Sequence, residues 1–197
     1  VVVVDDDSGD ETAARAVEAG AQVIRRSKNP GKGAAIKAGV ATALAQNCAW
    51  VMTLDGDGQH RPEDIPAFLR RAEETGASLV VGNRMHQAEA IPWVRRGVNR
   101  WMSRRISKVA GRLLPDSQCG FRLFNLKAWA ALRLETDHFE IESEMLLAFV
   151  RAGDQVEFVP IQVIGKGRRS HIHSVKDTWR WLRWWRRVRL GRNNLIP

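Results

Sequence analysis

Ala49-Trp50-Val51-Met52-Thr53-Leu54-Asp55-Gly56-Asp57-Gly58-Gln59-His60 is the stretch on which the reading of this chain turns. Its first six residues form a short apolar run, the composition of a strand buried on both faces of a parallel sheet. The run stops at two carboxylates one residue apart. Glycines at 56 and 58 let the backbone turn sharply there and let a ligand approach. Paired carboxylates and the Gln59 amide are hard oxygen donors of the kind that suit magnesium or manganese. A calcium loop would begin the same way, but it needs glycine at its sixth position and glutamate at its twelfth, where this sequence has His60 and Pro66.

Working outward, the same alternation repeats. Residues 1–4 are four valines, another buried strand, ending in Asp5-Asp6-Asp7. Residues 10–19 have helical composition closed by Gly20, residues 22–26 make a short strand, and the Ala-rich residues 31–46 make a helix. After the central strand, Arg61-Pro62-Glu63-Asp64 opens a helix that Gly76 stops. Residues 78–81 are a fourth strand, ending in Gly82-Asn83-Arg84. Further helices are expected at 93–111, 140–152 and 174–190, with strands within 116–125 and at 156–163. This order predicts an α/β sheet with helices on its faces. Ligands of such sheets bind beyond the carboxyl ends of the strands, so the three polar strand ends are expected along one edge.

Two other clusters carry weaker signals. Asn29-Pro30-Gly31-Lys32-Gly33 has half of a phosphate-binding loop, but Gly33 stands where the nucleotide-hydrolase pattern requires Ser or Thr. Its glycine-lysine-glycine at a helix start could still favour an anion. Asp5, Asp6 and Asp7 read either as a solvated, capped turn or as partners for a nucleobase or ribose. His171 and His173 have no Cys or third His nearby, which argues against a zinc site. Cys48 and Cys119 are too few and too far apart for a CxxC site, so a reduced, cytoplasmic setting is expected.

The net charge of +9 is unevenly spread. Residues 166–192 hold ten basic side chains and one acid, and the remainder holds twenty-one of each. The charge therefore points to a basic C-terminal segment rather than to a nucleic-acid-binding body. In that segment Trp181, Leu182, Trp185 and Val188 recur at helical spacing beside Arg180, Arg183 and Arg187. Tryptophan with arginine on one helix is the composition of a membrane-interface helix. The expected division is a catalytic domain at 1–165 and a basic, Trp-rich interface segment at 166–197. No run of apolar residues is long enough to cross a bilayer.

Taken in order, the motifs resemble the family 2 glycosyltransferases, and among them the polyprenyl-phosphate sugar transferases of the dolichyl-phosphate mannosyltransferase type. They are Asp5-Asp6-x-Ser8-x-Asp10-x-Thr12; Asn29-x-Gly31-Lys32-Gly33; Asp55-Gly56-Asp57-x-Gln59-His60-x-Pro62; Gly82-Asn83-Arg84; Asp116-x-x-Cys119-Gly120-Phe121-Arg122; Phe139-Glu140-Ile141-Glu142-Ser143-Glu144; and Arg168-Arg169-Ser170-His171. The resemblance covers about residues 1–190. It implies a GT-A, Rossmann-like mixed sheet with helices on both faces and a nucleotide-sugar donor. Asp6 would meet the base. Lys32, Asp55, Asp57 and Arg84 would bind the donor, and Asp55, Asp57 and Gln59 would hold Mg2+ or Mn2+. Arg122, Arg168, Arg169 and Ser170 would meet donor or acceptor phosphate, and Glu142 and Glu144 would lie near the sugar. The family's first strand, with its Pro-x-Tyr/Phe-Asn-Glu loop, is not among these residues. With Val1 opening inside a strand, an N-terminal truncation is expected.

The reaction so implied is metal-dependent and inverting, from a nucleoside-diphosphate sugar to a polyprenyl phosphate. A phosphate acceptor is anionic near neutral pH, since its second pKa is about 6. No strong base is needed, which matches the lack of a Ser-His-Asp or Cys-His set. Peripheral contact with the cytoplasmic face of a membrane through the C-terminal helix is expected, and no nucleic acid. Rival readings are a family 2 transferase with a soluble or glycan acceptor, a nucleotidyltransferase that would release pyrophosphate, and a non-enzymatic basic nucleic-acid module.

Overall fold

A computed structural model of the chain describes residues 1–27, 31–85, 92–164 and 174–191. The opening valines form β1 (Val2–Asp6), which pairs in parallel with β2 (Gln22–Arg26) across α1 (Thr12–Glu18). Asp10 begins that helix, its carboxylate accepting the Thr12 N–H at 3.0 Å. The Ala-rich stretch forms α2 (Lys32–Ala45), which packs against both β1 and the next strand, β3 (Trp50–Thr53). After β3 come a 3-10 turn (Pro62–Asp64), α3 (Ile65–Thr75) and β4 (Leu79–Asn83). Gly76, at φ 70°, ends α3 in the left-handed conformation that glycine adopts without penalty.

The remaining elements are α4 (Trp93–Ala110), β5 (Arg122–Asn125), α5 (Leu126–Ala130), α6 (Ile141–Arg151), β6 (Val156–Pro160) and α7 (Ser174–Arg189). The larger sheet runs β3-β5-β4-β6. β5 is antiparallel to both its neighbours, and β4 and β6 are parallel. This arrangement positions the site. β3 and β4 run the same way, so Asp55 and Arg84 leave the sheet at one end. Because β5 runs the opposite way, its beginning, Arg122, pairs with Thr53 and Val81 at that same end. The loop before β5 is thereby brought beside Asp55.

The core is Phe68, Phe121, Phe124 and the fully buried Leu79, Val80 and Val81, with Leu146 and Phe149 from α6. Residues 141–149 of α6 are buried without exception. A helix enclosed on all sides cannot leave carboxylates to solvent, so Glu142 and Glu144 must find partners inside.

The C-terminal helix corrects one expectation. Trp181, Trp184, Trp185 and Val188 are 2%, 1%, 7% and 3% exposed and belong to the same core. Trp181 stacks on Trp185 and tilts against Trp101 of α4, and its indole N–H donates to Ser143 Oγ at 2.9 Å. Each buried indole removes about 150–250 Å² from water, a gross gain on the order of 4 kcal/mol or more. The tryptophans of the stripe expected to face a membrane are thus packed against the domain. Among the described residues no helix is long and apolar enough to cross a membrane.

Candidate active site

Lys32, on the first turn of α2, reaches into the end of the sheet. Its Nζ lies 2.6 Å from Asp55 Oδ1 and 2.5 Å from Glu142 Oε1, and 5.6 Å from the centre of the Phe139 ring. Burial disfavours its charge, but the two carboxylates more than compensate and its pKa is raised. Burial likewise pushes the Asp55 carboxyl up. The Lys32 ammonium, with His60 and Arg84 beyond it, overcomes this and holds Asp55 at about 2. Lys32 and Asp55 are therefore both ionised at neutral pH.

Gly120 makes the approach possible. A Cβ there would sit 2.6 Å from Lys32 Nζ and 2.7 Å from both Asp55 carboxylate oxygens. The Thr53 hydroxyl donates to the Gly120 carbonyl at 2.8 Å, fixing this loop against β3.

The loop after β3 is held at three points. The Asp55 N–H donates to His60 Nδ1 at 3.2 Å, and the Gln59 N–H to Asp57 Oδ1 at 3.0 Å. Gln59 also accepts the Ile164 N–H at 3.1 Å. Gly58 takes φ 71° in the turn. His60 is buried against Phe121, and burial lowers its pKa. It acts as a neutral acceptor that supports the loop. Asp57 and Gln59 remain half-exposed beyond the Lys32 cluster.

Arg84 is clamped by Asp116. Its Nε and Nη2 donate to the two carboxylate oxygens at 2.8 and 2.9 Å, and its backbone N–H at 3.2 Å. Asp116 also accepts the Gln118 N–H, so the clamp organises the loop that carries Gly120. Arg95 comes from the first turns of α4 and was not singled out from the sequence. It is half-buried, its charge disfavoured first by burial and then by Arg84, against weaker attraction from Glu142, Asp57 and Asp55. No hydrogen bond or ion pair to a described residue neutralises it. Only the tertiary fold exposes this signal, since α4 offers six basic side chains of equal merit in sequence.

Several expected site residues have other structural commitments. Arg122 is 2% exposed, and its guanidinium donates to the carbonyls of Cys119, Glu142 and Ser117. It pins β5 to α6 and does not open to the cleft. Glu144 is fully buried, accepting from the Thr136 N–H and hydroxyl at 2.9 and 2.6 Å. Asp6 holds Arg26 at 2.6 Å and accepts the Gly31 N–H at 2.5 Å. The Gly31 N–H at the start of α2 is thus taken by the protein's own Asp6, and the Ala34 N–H goes to the Asp137 carbonyl at 3.0 Å. Gly33 is there for packing, because a Cβ would meet the Thr136 carbonyl at 2.7 Å. Asn29, Arg168, Arg169, Ser170, His171 and His173 lie outside the described residues.

The donor set fits a hard divalent cation. Asp55 is ionised, and Asp57 and Gln59 add oxygens on the same loop. Among the described residues no group of three or more His, Cys, Asp or Glu could enclose a metal.

Comparison with known proteins places the chain in a family and a fold. The family model described as Glycosyl transferase family 2 matches residues 1–132. The uncharacterized protein MJ1222 of Methanocaldococcus jannaschii is 31% identical over 169 residues, 83% of this chain and 70% of that protein. The undecaprenyl-phosphate mannosyltransferase of Micrococcus luteus is 29% identical over 181 residues, 83% of this chain and 71% of that enzyme. The crystal structure of glucosyl-3-phosphoglycerate synthase from Mycobacterium tuberculosis with Mn2+ and uridine-diphosphate-glucose superposes with a TM-score of 0.70 at 21% identity. It covers all of this chain and 68% of that one, a likeness of fold.

Proposed function

This chain belongs to glycosyl transferase family 2, and we propose that it moves a sugar from a nucleoside-diphosphate sugar to the phosphate of a polyprenyl lipid, with inversion at the sugar carbon. The observation that carries the reading is the juxtaposition at one sheet edge of opposite charges. An ionised Asp55 with Asp57 and Gln59 stands on one side, and Arg84 with Arg95, which has no ion pair among the described residues, on the other.

The acidic loop would hold Mg2+ or Mn2+, which when bound supplies Lewis-acid stabilisation to a departing diphosphate. Lys32 lies against the same carboxylates and adds fixed positive charge where negative charge develops. Arg95, half-buried beside the Asp116-clamped Arg84, would meet the acceptor phosphate. That phosphate is its own nucleophile, so the enzyme orients and neutralises rather than abstracting a proton. Glu142, held by Lys32, borders the sugar position, and Asp6 with Arg26 lies toward the base. Arg168, Arg169 and Ser170 complete the phosphate contacts in this reading. The name of the Micrococcus relative supports the lipid acceptor, and the complex of the Mycobacterium enzyme supports a divalent ion and a nucleotide-sugar donor.

A second reading, transfer to a small phosphorylated acceptor, is favoured by the name of that Mycobacterium enzyme, a glucosyl-3-phosphoglycerate synthase, and would use the same arginines. The test is a screen of nucleotide sugars with Mg2+ or Mn2+ against a polyprenyl phosphate and against 3-phosphoglycerate. Sugar transferred to the lipid with release of a nucleoside diphosphate is expected. Transfer to the soluble acceptor alone would replace the first reading with the second. Pyrophosphate release from a nucleoside triphosphate would overturn both. The working location is the cytoplasmic face of a membrane, held peripherally.

A further inference from the structure

The fold moves the positive charge of this molecule to a place the sequence did not suggest. α4 carries six basic side chains and no acid, and α7 six with Asp177 alone against them. Together they hold twelve of the 31 basic residues and one of the 22 acids, leaving nineteen basic and twenty-one acidic elsewhere. The two helices therefore carry +11 against −2 on the rest of the chain, and they meet where Trp101 packs 5.3 Å from Trp181.

The inward faces of both helices are accounted for. α4 buries Asn99, Met102, Ser103 and Ile106, and α7 buries Trp181, Trp184, Trp185 and Val188. What remains outside is unusual for a basic surface. Trp93 is 78% exposed, Val94 56%, Trp179 70% and Leu182 40%, all among arginines. Trp101 is part-exposed with the Arg105 guanidinium 5.2 Å over its ring. An exposed indole leaves a large apolar area in water for no internal gain. A phosphate backbone would use the arginines but offers nothing to Val94 and Leu182. A lipid leaflet uses both, taking tryptophan and aliphatic groups at the headgroup boundary and arginine at its anionic surface.

We propose that the outward faces of α4 and α7 together bind an anionic lipid leaflet, with Trp93 and Trp179 as interfacial anchors. This deepens the lipid-acceptor reading and rests on it for its purpose. α4 is the principal element, because its first turns also place Arg95 at the cleft. A leaflet lying on α4 would hold an acceptor headgroup beside the arginine that meets it. The tryptophan-rich inner stripe of α7 takes no part.

The experiment is sedimentation of the full chain with phosphatidylcholine vesicles, with and without phosphatidylglycerol, together with its Trp93→Ser/Trp179→Ser and Arg104→Glu/Arg105→Glu variants. Binding is expected only to the anionic vesicles and is expected to weaken as salt shortens the reach of exposed charges. The arginine variant is expected to lose about fivefold or more per residue, and the tryptophan variant its share of the vesicle-induced blue shift in fluorescence. All four side chains are exposed, so circular dichroism should match wild type. Transfer to a detergent-dispersed, short-chain polyprenyl phosphate should be unchanged in both variants. Vesicle binding by a chain that glycosylates no lipid phosphate would keep the surface and reject the acceptor reading. No binding to anionic vesicles at low salt, binding that both variants retain, or tighter capture by duplex DNA than by vesicles would each overturn the proposal.

Discussion

Lys32 Nζ stands 2.6 Å from Asp55 Oδ1, a buried cation seated against the carboxylate that a divalent ion would use. The ammonium also holds Glu142 at 2.5 Å, so a residue of α2 ties the end of β3 to the start of α6. Lys32→Met is expected to leave two largely enclosed carboxylates unpaired. The cost should be about 3 kcal/mol in urea unfolding, with transfer reduced about a hundredfold or more. Mn2+ affinity without nucleotide, measured by calorimetry, should rise or hold, because Asp55 loses its internal competitor. A fall in that affinity would show that Lys32 does not compete.

The same pair sets a pH dependence. In the unfolded chain Asp55 titrates near the ordinary value of about 3.9, and in the fold at about 2. The folded value is the lower one. The stabilisation is therefore complete above about pH 4 and is lost as the pH falls through 2. The stability gap between wild type and Asp55→Asn, followed by urea unfolding, should narrow across that interval and stay flat from pH 5 to 7.

Arg122 and Arg95 should separate cleanly. Arg122→Ala strands three buried carbonyls and is expected to destabilise by about 3 kcal/mol or more, with the acceptor KM of the folded fraction little changed. Arg95→Gln removes a half-buried charge that repels Arg84. Its stability should equal or exceed wild type, while the KM for a phosphate acceptor rises about tenfold or more and kcat changes less.

Gly120→Ala places a methyl group 2.6 Å from Lys32 Nζ and 2.7 Å from the Asp55 oxygens. It should break their contact and cut transfer at least tenfold. A Cβ on Gly56 meets nothing within 4 Å. Gly56→Ala should unfold within about 0.5 kcal/mol of wild type, as thermal denaturation would show.

Asp57 accepts the Gln59 N–H and stands half-exposed beyond Lys32. Chelation by EDTA should abolish transfer, and Mn2+ or Mg2+ should restore it in wild type but not in Asp57→Ala. Full turnover by Asp57→Ala would remove the metal from the proposal.

Much of this was legible in the linear chain because it is local. Ala-rich periodicity and glycine stops give helices whose hydrogen bonds lie within the segment, and valine runs mark strands by their composition even though their partners lie far along the chain. The observed helices at Lys32–Ala45, Trp93–Ala110 and Ile141–Arg151 lie within a residue or so of those read from the sequence. α5 was missed, since five residues carry too little period to register. Arg122 and Arg84 looked alike as arginines after a glycine-bearing motif. Their surroundings differ, three carbonyls for one and a carboxylate clamp for the other.

The sequence by itself determined the order of elements and the acid loop at the end of β3, since both follow from neighbours in the chain. Tertiary structure alone decided what each charged or aromatic side chain faces. Antiparallel β5 brings Gly120 to Asp55. The fold commits Asp6 to the start of α2, turns Trp181, Trp184 and Trp185 of α7 inward and sets Arg95 half-buried within the field of Arg84. Burial and pairing depend on distance in space, and a one-dimensional pattern of residue types does not contain that distance.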